Sequence, residues 1–214
     1  MGSIRVFRRE KREMKKLILY GDSNTYGYDP RGMMGGRFPG EVRWTSVVAA
    51  GLTDHLVIEE GLNGRQLPVS RSGRISRFLE NMVADLKPED TVMMMLGTND
   101  VLLTQDPDAD VPIEKMRVLL DWYKARRNDF SFIVTAPVVI ADINDEMTPY
   151  HRESLRMNRE FEALCEKAGV AFIDTAPWNT GMAYDGVHIA EESQRQFGEN
   201  MLRALMIILK RESV

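Results

Sequence analysis

Two short stretches hold the groups most able to do chemistry: Gly-Asp-Ser-Asn at 21–24, directly after an apolar run, and Asp-Gly-Val-His at 185–188. A serine hydroxyl is a weak nucleophile at neutral pH and needs a neighbouring base to take its proton. The chain has three histidines. His55 opens an apolar run, which puts it at the entrance of a strand, and His151 begins a helix and stays open on position alone. His188 lies three residues after Asp185, so one loop can offer a carboxylate to one ring nitrogen while the other faces Ser23, as a catalytic histidine requires. Acyl transfer also needs donors aimed at the oxygen that becomes negative in the tetrahedral intermediate. Ser23 can give its backbone N–H at a strand-to-helix turn, Gly64 a second N–H with no Cβ in the way, and Asn99 a side-chain amide. A shifted turn would put Gly61 or Asn63 in the place of Gly64.

Five apolar runs must position these groups: 17–20, 55–59, 91–96, 130–136 and 170–174. Between them the spacing turns helical. Ile75, Phe78, Leu79, Met82, Val83 and Leu86 form one stripe over 75–86, and Met157, Phe161, Leu164, Cys165 and Ala168 share a face over 150–168. Further helices centre on 44–54, 112–127 and 190–210. Strands alternating with helices predict a parallel sheet covered on both faces, and near-continuous apolar strands fit burial on both sides. In such sheets ligands bind beyond the carboxyl ends of the strands. GDSN (21–24), EGLNG (60–64), GTND (97–100), AP (136–137) and the loop ending in DGVH (185–188) all follow apolar runs, so they share that edge. Asp100 is expected to brace the loop holding Asn99. Residues 26–41, rich in Gly and Pro, read as a binding wall or lid. Asp22, Asn24, Tyr26, Trp178 and Met182 are candidate substrate contacts, with Tyr28, Met33 and Met34 as further pocket residues.

A hydrophobic content of 43% supports a real core, and 28% charged residues make an ordinary surface. A net charge of −4 leaves no electrostatic footprint for nucleic acid or an anionic membrane. The one cysteine, Cys165, allows no intrachain disulfide and points to a reducing cytoplasm; on its apolar stripe it reads as a small buried hydrophobe. No run approaches the roughly 18 apolar residues that span a bilayer. Residues 1–13 are basic but lack the apolar centre of an export signal, and read as a tail or leader before one domain over 14–214.

Taken together, GDSN with Ser23, Gly64, GTND with Asn99, and DGVH with Asp185 and His188 resemble the four blocks of the SGNH hydrolases, also called the GDSL esterase/lipase family. The blocks stand in family order between about residues 17 and 205. RFPGEVRW (37–44) and VIEEGLNGR (57–65) resemble the arylesterase and acyltransferase branch. The resemblance implies a flavodoxin-like three-layer α/β/α fold with a five-stranded, mostly parallel sheet, and a serine esterase without metal or other cofactor. It implies Ser23 as nucleophile, His188 as base, Asp185 as the residue orienting it, and an oxyanion hole of Ser23, Gly64 and Asn99. Asn24 stands where the family name has leucine. The expected partner is a small ester with a short acyl or acetyl group, not nucleic acid or membrane, and a homo-oligomer stays in view. Acyl transfer to another alcohol can compete with water in a dry pocket. Two rivals remain: a metal-dependent phosphoesterase, for which three histidines are few, and a non-catalytic binder, although no triad member is missing.

Overall fold

The first strand shows how the molecule is layered. In the computed structural model, which describes residues 14–32, 36–104 and 106–211, Leu17 and Leu19 pack on one face of the sheet and Ile18 and Tyr20 on the other. All four are buried, so the run has to be apolar throughout. The expected tail at 1–13 and the loop residues Met33 and Met34 lie outside the described residues.

The chain runs β1 (Lys15–Gly21), α1 (Ser23–Tyr26), β2 (Tyr28–Asp29), β3 (Gly36–Arg37), α2 (Trp44–Gly51), β4 (His55–Gly61), α3 (Arg77–Val83) and β5 (Thr91–Met95). It continues through α4 (Thr98–Leu102), α5 (Asp110–Lys124), β6 (Ser131–Thr135), α6 (Thr148–Ala168), β7 (Ala171–Ile173) and α7 (Glu191–Arg211). Five strands make one sheet in the order β4-β1-β5-β6-β7, every pair parallel, and β2 and β3 form a separate antiparallel ribbon. This is the expected three-layer architecture. One core packs Ile18, Tyr20, Val92, Met94, Phe132 and Val134 against α3, α4, α5 and α6. The other packs Leu17, Leu19, Met93, Met95 and Ile133 against α2 and α7. Cys165 is buried in the first, where desolvation pushes its thiol up to about 12.

Helix limits follow local chemistry. The stripe over 75–86 yields a helix only from Arg77 to Val83: the Ser76 side chain accepts from the Phe78 N–H and fixes its start, and Ile75 is spent on a bridge to Val69. Pro88 bars a helical continuation beyond Leu86. α6 ends at Gly169, whose φ of 63° provides the left-handed cap. His55 pairs with Lys15 at the amino edge of the sheet and sits 2.8 Å from Asp54, remote from the loops that carry the polar motifs. Among the described residues no helix is long and apolar enough to cross a membrane.

Candidate functional site

After β1 the chain crosses to β4 on one side, then returns past β1 to β5 on the other, so the crossovers diverge between β1 and β5. Open sheets bind ligands at such a switch point. Gly21 pairs with both Gly61 and Met95, which starts three loops side by side. At Gly21 any Cβ would fall 2.0 Å from Thr25 Oγ1, so only glycine lets α1 fold back over the strand. The Asp22 carboxylate caps that turn, accepting from the Asn24 N–H at 2.9 Å, and Ser23 is its first residue.

Ser23 Oγ lies 2.9 Å from His188 Nε2, and His188 Nδ1 lies 2.6 Å from Asp185 Oδ2. Asp185 Oδ1 accepts the backbone N–H groups of Val187 at 3.0 Å and His188 at 3.1 Å. Burial opposes charge on Asp185, but the His188 hydrogen bond and these two N–H donors outweigh it and hold the carboxyl below its ordinary value. An ionised carboxylate can only accept, so Nδ1 carries the imidazole proton and Nε2 faces the serine as an acceptor. The Tyr28 ring packs on the imidazole, centroids 4.6 Å apart. The ribbon carrying Tyr28 is tied to the His188 side of the cleft by Tyr184 Oη donating to Pro30 O at 2.7 Å and by the Arg31–Glu191 ion pair.

Asn99 stands in the first turn of α4, behind Gly97. Gly97 has φ 134°, and a Cβ there would meet Met157 Sδ at 2.7 Å. Asn99 Nδ2 donates one hydrogen to Arg65 O at 3.1 Å, and Gln66 Nε2 donates to Asn99 O at 3.3 Å. The Leu62 N–H and Arg65 Nη1 both donate to Gly21 O, at 3.1 and 3.0 Å. The turn containing Gly64 is therefore stitched to the serine loop on one side and the asparagine loop on the other. Gly64 itself is exposed, and its φ of 74° rather than crowding calls for glycine. Asp100 braces the same region: it accepts from the Leu67 N–H at 2.8 Å and from Lys115 Nζ at 2.6 Å. Burial raises its pKa against the pull of both donors.

The other expected contacts fall differently. Asp22 and Asn24 are only 2% and 3% exposed, and their side chains are engaged within the protein, Asp22 with the Asn24 N–H and Asn24 with Val187 O and the Ile189 N–H. Desolvation pushes Asp22 up to about 7, although it accepts the Asn24 N–H. Tyr26 is half-buried beneath the Arg37 guanidinium, 4.4 Å from its ring centre. Trp178 meets Phe197 of α7 edge-on, centroids 5.1 Å apart, and packs half-buried against the second core. Met182 bridges to Ile189 and lines a groove of about 240 Å³ with Val138, Leu155, Thr175 and Asn179. His151 is 2.7 Å from Ile140 O, in the loop after β6. The sheet thus brings Ser23, Asp185 and His188 into hydrogen-bond contact and sets Asn99 and the 61–65 turn at the same edge. The bracing by Arg65, Gln66 and Lys115 carries no local sequence signal, since their partners lie 15 to 44 positions away. Among the described residues no three His, Cys, Asp or Glu side chains gather as metal ligands would.

Residues 19–196 match the model of the GDSL-like lipase/acylhydrolase family. Among solved structures, the carbohydrate acetylesterase family member from Sinorhizobium meliloti is 25% identical, with a TM-score of 0.76 over 92% of this chain and 100% of that one. The native M. smegmatis aryl esterase is 25% identical, with a TM-score of 0.73 over 90% and 99%. A putative arylesterase from Agrobacterium tumefaciens str. C58 is 26% identical, with a TM-score of 0.72 over 91% and 100%. No curated protein matches the sequence.

Proposed function

This chain belongs to the GDSL-like lipase/acylhydrolase family and is a carboxylic ester hydrolase, and from that premise we propose that it cleaves small esters of short acyl groups through an acyl-Ser23 intermediate. The observation that carries the reading is the relay from Asp185 Oδ2 through His188 to Ser23 Oγ, at 2.6 and 2.9 Å. His188 Nε2 takes the hydroxyl proton as Oγ attacks the ester carbonyl, and Asp185 stabilises the imidazolium that forms. The carbonyl oxygen, now negative, is met by the N–H groups of Ser23 and Gly64 and by the Asn99 Nδ2 hydrogen not spent on Arg65. Collapse of the tetrahedral intermediate breaks the C–O bond, and His188 hands its proton to the departing alcohol. Water then repeats the sequence on the acyl-enzyme; an alcohol arriving first takes the acyl group instead. Esters of aryl alcohols and acetylated sugars are the substrates to try, following what the similar structures are said to act on.

Incubation with a p-nitrophenyl phosphonate should add one phosphonyl group, located on Ser23 by peptide mass spectrometry, and abolish hydrolysis of p-nitrophenyl acetate. A chelator should leave the rate untouched. Label on another residue, or activity lost to the chelator and spared by the phosphonate, would refute the serine mechanism. Asn99→Ala removes one oxyanion donor and should lower kcat by about 10²- to 10³-fold, with KM little changed. It also frees Arg65 O, so the thermal midpoint is to be measured alongside and should fall only slightly.

A further inference from the structure

We infer that Asn24 is a positioning residue: one side chain next to the nucleophile grips the chain on both sides of the base and sets their separation. Asn24 Nδ2 donates to Val187 O at 3.1 Å, and Asn24 Oδ1 accepts from the Ile189 N–H at 2.9 Å. These are the residues immediately before and after His188, 163 and 165 positions away in the chain. Asn24 is 3% exposed, and its bond to the Ile189 N–H is fully buried, where no water can replace it. The clasp is itself held. Trp44 Nε1 donates to Asn24 O at 2.8 Å, the Trp44 N–H donates to Gln194 Oε1 at 3.2 Å, and Gln194 Nε2 donates to Ile189 O at 3.2 Å. A closed ring of hydrogen bonds thus joins the turn after β1, the start of α2, the start of α7 and the histidine loop, with Trp44, Ile189 and Gln194 all buried.

Only a side chain with a donor and an acceptor on one short stem can make both bonds, and leucine, close in volume, can make neither. The inference rests on Ser23 and His188 acting as nucleophile and base. Asn24→Leu and Asn24→Asp should be assayed on p-nitrophenyl acetate, with active sites counted by phosphonate burst and the downfield proton NMR signal of His188 Nδ1–H recorded against His188→Ala. In Asn24→Leu, kcat per titrated site should fall by about 10- to 100-fold with KM near the parent's, because misplacing a reacting group costs rate more than binding. The Nδ1–H signal should shift or broaden. Asn24→Asp keeps the acceptor for Ile189 but sets a second oxygen against the Val187 carbonyl in place of the donor, so it should show the same pattern, and it serves alone should the leucine variant not fold. A kcat per site held at the parent's value, or lowered with the signal unmoved, would overturn the inference. Ser23→Ala run in parallel separates the two readings: if it stays active the nucleophile assignment fails, and if it is inactive while the Asn24 variants are normal only this inference fails.

Discussion

Ser23→Ala is expected to lower kcat/KM for p-nitrophenyl acetate by about 10⁴- to 10⁶-fold while leaving the fold intact. The size follows from removing the atom that forms the acyl bond, since no other group lies where Oγ lies, 2.9 Å from His188 Nε2. Stability should hold, because Ser23 opens a helical turn whose cap is the neighbouring Asp22 and alanine suits a helix at least as well. His188→Ala should cost a similar factor, and the double variant should be no worse than either single one. Groups that act as a unit lose their joint contribution once, so strict additivity would show that the two residues work separately. Thermal midpoints of all three variants within a few degrees of the parent would assign the losses to chemistry. A Ser23→Ala rate near the parent's would refute the assignment outright.

Most of what positions this relay is legible in the sequence, for reasons visible in particular residues. Met93, Met94 and Met95 sit in a strand buried on both faces, so their run needs no alternation to reveal it. Asp185 and His188 are three residues apart on one loop, and such a spacing survives any error in strand limits. Side-chain direction is less legible. Asp22 and Asn24 flank the nucleophile, yet consecutive residues on a helical turn point about 100° apart, so a serine facing the cleft sends Asn24 into the interior. Trp178 lies on a loop that leads to the open edge, yet it is half-buried and packs edge-on against Phe197, nineteen positions later. The Asn99–Arg65 and Asp100–Lys115 contacts depend on how α4, α5 and the 61–67 segment dock, which spacing within one element does not encode.

Asp185→Asn is the sharper test of the relay, because it keeps the shape and changes only the proton's address. The parent carboxylate accepts at Oδ1 from two backbone N–H groups and at Oδ2 from His188 Nδ1. An asparagine has one oxygen for these duties. If that oxygen stays with the Val187 and His188 N–H donors, the NH₂ group faces Nδ1 and forces it to accept. The imidazole proton then moves to Nε2, where it points at Ser23 and cannot receive the hydroxyl proton. The expected loss in kcat at neutral pH is about 10⁴-fold, with KM nearly unchanged. Stability supplies an independent readout. Because the folded-state pKa of Asp185 is depressed, its contribution is present above the ordinary value of 3.8 and is lost as the pH falls through the lower folded value. The parent should therefore melt above Asp185→Asn at neutral pH, and the gap should narrow on acidification below 3.8. A variant that keeps the parent's kcat would show that the carboxylate does not set the histidine tautomer, and a gap that widens in acid would show that the charge on Asp185 opposes folding.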